Sequence, residues 1–503
     1  MKNLFRSLVA CCAFLFFCST GTYLHAQMPQ DLLTSSSDPG TQARIKEIES
    51  DLPGWVLIEG YPKRSLAERM AYYKIHGLSI AVVHDYKIVW AKTYGWADSA
   101  EKKPLTVKTL FQAASISKSL NAVGMLRLAQ HHKVDLYTDI NQYLVHWKFP
   151  YDSVSKNKKI TIANLLSHTA GLTVHGFGGY AKGDTLPTLE QVLDGKKPAN
   201  SPPVRSQFEP GLRFMYSGGG TTISQQIIMD VTGMAYDRYM WENVLKPLGM
   251  INSFYTQPPP ANRQADLASA YEEDGSLVKG NYHTYPEEAA AGLWTNPTDL
   301  CKYIIETQLA LQGKSSKVLS QEFTQLRLTP YVDQSAAFGV FIDKRGNEKY
   351  FQHGGANEGF RSQYFGSMDH GDGVAVMVNS DDGRIMPELI NSVARAYDWK
   401  DFYKPETKKL MKLTTAQLKA VEGKYQFEFQ KGKPAYIQIT SNSNNGIVLK
   451  QLWDGQEISF LPESELEFFC PTNPFPLKFT KDQTGQITQV LAFNRDLWNR
   501  VKE

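Results

Sequence analysis

The chain has 503 residues, with 54 Lys and Arg against 51 Asp and Glu and a formal net charge of +3. Without residues 1–26, which hold two basic residues and no acidic one, 52 basic residues face 51 acidic ones, a net charge of +1. This balance excludes the strongly basic surface that nucleic acid or an anionic membrane requires, and the length exceeds one ordinary hydrophobic core, so we expect two domains.

The first residues have the pattern of a secretory signal peptide. Two basic residues precede an apolar stretch at 8–18, and the sequence LHA ends at Ala26. This order predicts cleavage after Ala26. Lipidation at Cys18 is disfavoured, because two phenylalanines precede that cysteine. No later stretch approaches the roughly 18 apolar residues that span a bilayer, so we expect an exported, periplasmic or secreted protein without stable membrane insertion.

Cysteine and histidine usage indicates neither a disulfide framework nor a metal site. After Ala26 only Cys301 and Cys470 remain, far apart in sequence, and we expect two free, buried thiols. No Cys or His pair has metal-ligand spacing, since His131 and His132 are adjacent and suit a solvated helix end.

The first half of the chain predicts a hairpin, a buried helix and a loop-rich region, in that order. Residues 27–50 are polar and mixed, which predicts a flexible or helical lead-in. Two β-rich runs around the polar turn 84–87 predict a hairpin at 77–98. The segment 115–130 is apolar on every side, as a buried helix is, and residues 150–210 predict loops and short helices.

The second half predicts two more helices and a return to strands. One helix is predicted at 221–232, and another begins at an N-cap on Thr295 or Asn296, with Pro297 in its first turn. The strand pattern returns at 350–378. Strands therefore bracket a helical middle, which predicts an α+β fold with one antiparallel sheet flanked by helices and a helical subdomain.

The composition changes near residue 405. A charged linker and short helix precede short alternating runs separated by Gly, Asn and Pro, which predicts a small all-β barrel. We expect its aromatic residues to fill the barrel core and not to form a carbohydrate platform: Tyr425, Phe427, Phe429, Trp453 and Phe460. The predicted organisation is a signal peptide at 1–26, a domain at 27–405 and a barrel at 412–503.

The run LFQAASISKSL at 110–120 contains Ser115 and Lys118 in an otherwise apolar context. Ser-x-x-Lys also occurs in four polar loops or turns: Ser99 and Lys102, Ser153 and Lys156, Ser155 and Lys158, Ser276 and Lys279. Only Ser115 and Lys118 open a predicted buried helix, where residues i and i+3 share one face. The N–H groups of a helix start can hold a developing oxyanion. Because a buried ammonium group is costly, we infer that Lys118 activates Ser115 as a nucleophile.

A serine nucleophile of this kind needs a second proton carrier and a further oxyanion donor. Tyr216 lies in the glycine-rich segment EPGLRFMYSGGG, and His353 is predicted at the end of a strand. Gly354 and Gly355 follow and would let the strand edge approach a substrate, so the N–H of Ala356 is the candidate second donor. Taken singly, the tyrosine and the histidine also have ordinary explanations in packing.

Together, in this order, these residues resemble the serine β-lactamase and penicillin-binding-protein family, especially its class C, D-aminopeptidase and esterase branch. The resemblance covers roughly residues 50–400. It rests on further stretches in sequence order: TIANLLSHTAGL (161–172), EPGLRFMYS (209–217), VLKPLGM (244–250), AAGLWTNPTDL (290–300) and HGGANEGFRS (353–362). The tail is loosely similar to the lipocalin-like modules of some family members, which cover the active site or mediate assembly.

The resemblance implies a β-lactamase/DD-peptidase-like fold and a mechanism through an acyl-enzyme. Ser115 would attack the substrate carbonyl, Lys118 and Tyr216 would share the proton, and His353 would complete the catalytic set. The residues implied around the substrate and its oxyanion are Ser217, Gly354, Gly355 and Ala356. Neither a metal nor an organic cofactor is implied. The implied substrates are small esters, amides or peptides, including D-amino-acid peptides, and a homo-oligomer is compatible with the tail.

Two departures from the family pattern narrow the expected activity. The common Tyr-x-Asn motif is Tyr216-Ser217-Gly218 here, so the amide that contacts the acylamino group of β-lactams in relatives is missing. The usual Lys-Thr-Gly is His-Gly-Gly here, and a histidine is mostly neutral at pH 7. Both changes favour an esterase or D-aminopeptidase over a class C type β-lactamase or a DD-peptidase, which remain alternatives.

Three other interpretations are weighed against this one. A catalytically silent binding protein remains open, although the intact serine, lysine and tyrosine count against it. An α/β-hydrolase is disfavoured because the sequence has no Gly-x-Ser-x-Gly. The glycine-rich segment 175–181 follows no strand and is predicted to be a loop and not a dinucleotide site. His168 is expected to have a structural hydrogen-bonding role.

Overall fold

The computed structural model describes residues 29–34, 38–430, 432–472 and 474–501. The predicted signal peptide lies outside these residues. The helices are α1 (Pro39–Ser50), α2 (Leu66–Tyr72), α3 (Ser117–Gln130), α4 (Ile162–Leu166), α5 (Leu189–Asp194), α6 (Gly218–Thr232), α7 (Tyr236–Met240), α8 (Lys246–Leu248), α9 (Glu288–Ala291), α10 (Pro297–Leu311), α11 (Gln321–Arg327), α12 (Ile385–Ala396) and α13 (Thr415–Val421).

The strands fall into a main sheet, two small sheets and a barrel. Those before the barrel are β1 (Gln30–Thr34), β2 (Val56–Ile58), β3 (Gly77–His84), β4 (Lys87–Asp98), β5 (Lys103–Pro104), β6 (Phe111–Gln112), β7 (Trp294–Thr295), β8 (Phe341–Arg345), β9 (Glu348–Asn357), β10 (Phe360–Ser367), β11 (Gly373–Val378) and β12 (Glu406–Lys408). Those of the barrel are β13 (Gly423–Gln430), β14 (Lys433–Ser441), β15 (Ile447–Gln451), β16 (Glu457–Pro462), β17 (Glu467–Phe469), β18 (Pro476–Lys481), β19 (Ile487–Ala492) and β20 (Asp496–Arg500).

The main sheet unites the two ends of the predicted catalytic region. Its order is β1-β4-β3-β11-β10-β9-β8, every pair is antiparallel, and β5 extends it beside β4. The α+β fold with one antiparallel sheet is confirmed, as is the hairpin at 77–98. The lead-in differs from the expectation, because residues 30–34 form the edge strand β1 before helix α1.

The central strands are buried on both faces. Successive side chains of a strand point to opposite sides of the sheet, and here both sides are covered. Ala81 and Val83 of β3 pack in the core that contains α3 and α10. Ile80 and Val82 pack in a second core with α1 and α12. This two-sided cover explains why β11, and β3 apart from Ser79 and His84, are apolar on both faces instead of alternating.

The predicted helices are confirmed, with small shifts at their starts. The buried helix α3 begins at Ser117, two residues later than expected, because Ala114–Ile116 forms a 3-10 turn before it. Helix α6 begins at Gly218, with Ser217 as its N-cap. Of the two predicted N-caps, Thr295 and Asn296, the structure shows Asn296 as the N-cap of α10, with Pro297 as the first residue of the helix.

The tail forms a closed barrel of eight antiparallel strands, as predicted. Tyr425 and Phe460 are fully buried in its core, and Phe427 is half-buried against it. Trp453 differs from the expectation, because half of it is exposed. The side chain of Phe429 lies outside the described residues.

The barrel contacts the rest of the chain through several hydrogen bonds, among them two to its backbone. The Trp55 indole N–H donates to the carbonyl oxygen of Cys470, and the Met411 N–H donates to the carbonyl oxygen of Pro462. The parallel pair β2 and β12 lies at this junction. Both remaining cysteines are free and buried, as expected. The division into units at 27–405 and 412–503 stays a prediction. Across the residues described, no helix is long and apolar enough to cross a bilayer.

Candidate active site

Ser115 is the exception in a buried segment. Residues 109–126 are all buried except this serine, which is half-buried. It lies in the middle of the 3-10 turn, and the preceding Ala114 has a positive φ of 50°. A residue other than glycine rarely adopts this conformation, and such strain is concentrated at functional sites. The local backbone therefore turns one hydroxyl out of a segment whose other side chains face the core.

The buried Lys118 holds this hydroxyl. Its Nζ donates to Ser115 Oγ over 2.9 Å and to the carbonyl oxygen of Ala290, just before the end of α9, over 2.7 Å. Lys118 is only 4% exposed. In the other four Ser-x-x-Lys pairs every lysine is exposed, and within the described parts of the chain no hydrogen bond joins the lysine side chain to the serine side chain. The predicted pair thus differs from its four matches in both burial and contact.

Tyr216 lies directly across from the lysine. Lys118 Nζ is 5.1 Å from the centroid of the tyrosine ring, within the range of a cation–π contact. His168 lies on the ring with a centroid distance of 4.2 Å, and its Nδ1 accepts the Ser217 N–H over 3.2 Å. His168 therefore has the expected structural hydrogen-bonding role. Its imidazole fixes the backbone next to Tyr216 and packs on the tyrosine ring.

His353 faces the same ring from the main sheet. It lies inside β9 and not at its end as expected, with its ring centroid 6.3 Å from that of Tyr216. Its Nδ1 is 2.6 Å from the carbonyl oxygen of Gly354, which can only accept, so Nδ1 carries the proton. Nε2 has no hydrogen-bond partner among the described residues and is free to accept.

Both imidazoles near the lysine are held neutral. Burial, and to a smaller extent the Lys118 ammonium, lowers the pKa of His353 from its usual 6.5 to about 3. The same two causes, burial first, hold the pKa of His168 well below 6.5. At neutral pH the fixed positive charge in this part of the site is that of the lysine, since an imidazole with so low a pKa stays unprotonated.

Gly355 allows β9 to approach the 3-10 turn that carries Ser115. A Cβ built on Gly355 would overlap the carbonyl oxygen of Ala113 and the hydroxyl of Ser362. Ser362 Oγ in turn donates to that carbonyl oxygen over 2.9 Å. Gly355 is therefore required by the close packing of β9 on this turn, and the expected approach of the strand edge to a substrate stays a prediction. At Gly354 a Cβ would meet only the end of the Gln363 side chain, at 2.8 Å.

A cleft of about 440 Å³ brings most of the predicted residues together. Those that line it are Ser115, Tyr216, His353, Gly354, Gly355 and Ala356. Lys118 lies beneath it. Ser217 does not line it, because its hydroxyl donates to the carbonyl oxygen of Thr173 over 2.9 Å and accepts the Gly220 N–H over 3.0 Å. Ser217 therefore caps α6 instead of contacting the substrate as predicted.

Several lining residues were missed in the sequence. They are Phe341, Gln352, Ser362, Gln363 and Met386. Phe341 is the most central, with its ring 5.2 Å from that of His353 and 6.4 Å from that of Tyr216. No local pattern marks it, since a phenylalanine that opens a strand is ordinary in any core. The residues of β10 that face the cleft follow only from the pairing of β9 with β10.

A buried carboxyl group near the site was also missed. Glu287 directly precedes α9 and is 0% exposed. The carbonyl oxygen of Ala290 in this helix accepts the hydrogen bond from the Lys118 ammonium. Neither carboxyl oxygen of Glu287 has a hydrogen-bond partner among the described residues. Burial raises its pKa from 4.5 to about 7. The group is therefore largely protonated below neutral pH.

Three further carboxyl groups converge from distant parts of the sequence. Ligand atoms of Glu272, Glu358 and Asp381 lie within 4.8 Å of one another. Arg361 contacts Asp381 at 2.7 Å and supplies positive charge to the cluster. Burial, with a hydrogen bond to Asp381, raises the pKa of Glu272 to about 6. A shared proton and the guanidinium thus relieve the repulsion between these groups.

Comparison with known proteins places the chain in a family. The family model described as Beta-lactamase matches residues 63–396, well over half of the chain. The chain belongs to the beta-lactamase family of serine hydrolases. Every predicted site residue falls within the matched range, and the barrel falls outside it.

Curated relatives of this beta-lactamase family protein are distant. Protein flp of Staphylococcus aureus (strain N315) is 26% identical over 322 residues, which cover 63% of this chain and 62% of the relative. The chain thus spans less than two thirds of that protein. Penicillin-binding protein 4* of Bacillus subtilis (strain 168) is 23% identical over 424 residues, covering 80% of this chain and 90% of the relative.

Solved structures share the fold at low identity. The octameric penicillin-binding protein homologue of Pyrococcus abyssi has a TM-score of 0.60 and 22% identity, covering 86% of this chain and 98% of that one. The D-amino acid amidase of Ochrobactrum anthropi SV3, complexed with L-phenylalanine amide, has a TM-score of 0.54 and 19% identity, covering 66% and 96%. These likenesses establish the penicillin-binding-protein-like fold.

Proposed function

We propose that this protein is an exported serine hydrolase that forms an acyl-enzyme at Ser115 with small esters, amides or peptides, including substrates built from D-amino acids. The contact between Ser115 Oγ and Lys118 Nζ, 2.9 Å long, carries this proposal. It places a half-buried hydroxyl at the cleft against a buried ammonium, which lies 5.1 Å from the centroid of the Tyr216 ring. Such a cluster of nucleophile and proton carriers is what acyl transfer requires.

The reaction begins when Ser115 Oγ attacks the substrate carbonyl carbon. Its proton passes to the oxygen of Tyr216, whose deprotonated form the Lys118 ammonium stabilises. The N–H groups of Ser115 and Ala356 hold the oxyanion. Tyr216 then returns the proton to the leaving group as the bond to the carbonyl carbon breaks. Water repeats the sequence on the acyl-enzyme, releasing the acid and restoring the serine.

A class C type β-lactamase or DD-peptidase is the second candidate. The neutral His353 counts against it, because an imidazole with a pKa of about 3 offers no fixed charge to the carboxylate of a penicillin. The missing side chain at Gly218 counts against it as well. A silent binding protein is the third candidate, and the intact contact between Ser115 and Lys118 counts against it.

The test is the intact mass of the mature protein after brief exposure to a fluorophosphonate, with and without benzylpenicillin first. We expect one adduct on wild type and on Ser99→Ala, which removes the serine of another Ser-x-x-Lys pair, and none on Ser115→Ala. The melting temperature of Ser115→Ala should stay near that of wild type. Blocking of the adduct by penicillin would favour the second candidate. The absence of an adduct on wild type would contradict the hydrolase and favour the silent binding protein.

Two further parts of the proposal concern location and assembly. Export is supported by the signal-peptide pattern of residues 1–26, and a mature chain beginning at Gln27 in the periplasmic or secreted fraction would test it. Self-association is supported by the octameric state named for the Pyrococcus abyssi homologue. Light scattering of the full mature chain tests this part.

A further inference from the structure

The loop at 175–178 is bonded to the backbone that carries Tyr216. His175 Nδ1 is 2.6 Å from the carbonyl oxygen of Tyr216. In the other direction, the Gly218 N–H donates to the carbonyl oxygen of His175 over 3.2 Å. The N–H of the neighbouring Gly219 donates to the carbonyl oxygen of Val174 over 3.0 Å. This loop therefore moves with the start of α6 and with the catalytic tyrosine.

Phe177 fills the space beside Gly218. An ideal Cβ on Gly218 would lie 3.0 Å from Phe177 Cε2 and 3.4 Å from its Cδ2, closer than nearly all real contacts of this kind. The ring thus occupies the place that a side chain at position 218 would need. Ser217 is extended, with φ −142° and ψ 112°, so the side chains at positions 216 and 218 point to the same side of the backbone. Phe177 does not line the cleft itself, but its ring lies on the side of Tyr216, which does. It offers an apolar ring there and no amide.

The Phe177 side chain is half-buried: one part packs against the protein and the rest is exposed. Phe177 packs against the core that contains α3 and α6. On its other side, the carbonyl oxygen of Gly178 accepts from His283 Nδ1 over 2.9 Å. The flanking Gly176 and Gly178 have open space where a Cβ would be. The orientation of a half-buried ring between such glycines can adjust to a substrate while the ring keeps its contacts with the core.

We infer that Phe177 selects the acyl group: it accepts apolar acyl chains and rejects chains that carry an acylamino group. This deepens the proposed function, since it concerns the substrate of the same serine. An apolar chain that covers the ring gains the free energy of removing both surfaces from water. An acylamino group in the same place loses its hydrogen bonds to water and finds no partner on the ring, which is costly.

The experiment compares two 4-nitrophenyl esters with acyl chains of equal length, the pentanoate and the N-acetylglycine ester. In wild type we expect kcat/KM to favour the pentanoate. Phe177→Ala should lower the ratio of the two kcat/KM values about tenfold, by loss on the pentanoate. Phe177→Leu, which keeps an apolar side chain, should hold the ratio within about threefold of wild type.

A second pair of variants tests the position of the ring. Gly218→Asn should lower the melting temperature, because its Cβ meets the Phe177 ring. The double variant with Phe177→Ala should recover part of that loss and should raise kcat/KM for the N-acetylglycine ester. Strictly additive effects of the two substitutions would overturn the claim that the ring occupies the space beside position 218.

Fluorophosphonate labelling separates failure of this inference from failure of the proposed function. Labelling of Ser115 in wild type and in Phe177→Ala, with an unchanged ester ratio, would overturn the role of Phe177 and leave the hydrolase intact. A wild type that is neither labelled nor active on either ester would overturn both. A folded, labelled Phe177→Ala with the reduced ratio supports the inference.

Discussion

At the scale of single residues, the site depends on one buried charge and the neutral groups around it. Lys118 is 4% exposed, and its ammonium is within hydrogen-bond distance of a hydroxyl and a carbonyl oxygen. The imidazoles of His168 and His353 are neutral because of their burial and of that same charge. A single cation in an apolar surrounding acts strongly on the tyrosine and serine oxygens, because little water screens it.

Replacing Lys118 by methionine should remove the proton route and leave the fold. We expect kcat/KM on 4-nitrophenyl pentanoate to fall by about 10²–10⁴-fold, the usual contribution of a positioned proton carrier. Lys158→Met, at an exposed Ser-x-x-Lys pair, is the matched control and should match wild type. Steady-state kinetics together with melting curves check this. Activity of Lys118→Met within a few-fold of wild type would contradict the mechanism.

Glu287 should give the free energy of unfolding a dependence on pH. Its pKa is raised from 4.5 to about 7 in the folded protein, so between these values the unfolded chain loses the proton and the folded chain keeps it. Stability should therefore fall as pH rises through this window, by an amount on the order of 3 kcal/mol.

The measurement is urea unfolding of wild type and Glu287→Gln at pH 4.5 and pH 7, with the exposed Glu101→Gln as the control. His353 acts in the opposite sense, since its lowered pKa makes the folded state lose stability as pH falls below 6.5. Each variant is therefore compared with wild type at the same pH. A difference between wild type and Glu287→Gln that is independent of pH would contradict this prediction.

At the scale of elements, the nucleophile turn is fixed between a helix and a strand edge. The 3-10 turn Ala114–Ile116 leads into α3, and β9 packs against it where Gly355 has no side chain. Residues 353–356 of β9 pair with β10 on one side, but beyond Gln352 they have no partner in β8 on the other side, and they line the cleft. A strand edge and a helix start thus meet across a substrate-sized gap.

Gly355→Ala should disturb this contact, because the added methyl group overlaps the Ala113 carbonyl oxygen and the Ser362 hydroxyl. We expect a loss of about 1–3 kcal/mol in the free energy of unfolding and a large fall in kcat/KM. Gly354→Ala is the matched control, since its methyl group would meet only the movable end of Gln363. Equal stability of the two variants would argue against the close approach. Chemical denaturation and ester kinetics provide both readouts.

At the scale of the whole molecule, the catalytic sheet and the barrel are connected away from the cleft. The Trp55 indole donates a hydrogen bond to the carbonyl oxygen of Cys470, and the Met411 N–H donates one to that of Pro462. Both lie on the side where β2 pairs with β12. None of these residues lines the cleft. Among the two roles considered for the barrel, this placement favours assembly over cover of the active site.

Deletion of residues 412–503 should therefore keep fluorophosphonate labelling of Ser115 and change the oligomeric state. Labelling should persist because the cores on both faces of the main sheet are built from residues before 405. Light scattering and intact mass of the truncated and full mature chains check this. An unchanged oligomeric state, or loss of labelling in a truncated chain that still melts cooperatively, would contradict the assembly role.

Much of this was predictable from local patterns. The hairpin at 77–98 and the closed barrel follow from alternation and turn residues, which act within a few positions. The serine and lysine could be paired because helix geometry fixes the distance between residues i and i+3. The edge strand β1 was missed because its polar sequence joins the sheet only through β4. The capping role of Ser217, which accepts the Gly220 N–H, was missed because the helix was predicted to begin only at residue 221. Its bond to the Thr173 carbonyl oxygen joins residues distant in sequence, which no local pattern shows.

The sequence by itself determined the family, the α+β sheet with its barrel, and the serine, lysine, tyrosine and histidine of the site. These depend on periodicity and motif, which short-range geometry controls. Only the tertiary structure decided that Lys118 reaches Ala290, that Phe341 packs near the rings of both Tyr216 and His353, and that Phe177 takes the space beside Gly218. Most of these contacts join residues more than 40 positions apart, and only Phe341 and His353 are closer, at 12 positions. The burial that keeps the imidazoles of His168 and His353 neutral likewise follows from the tertiary packing.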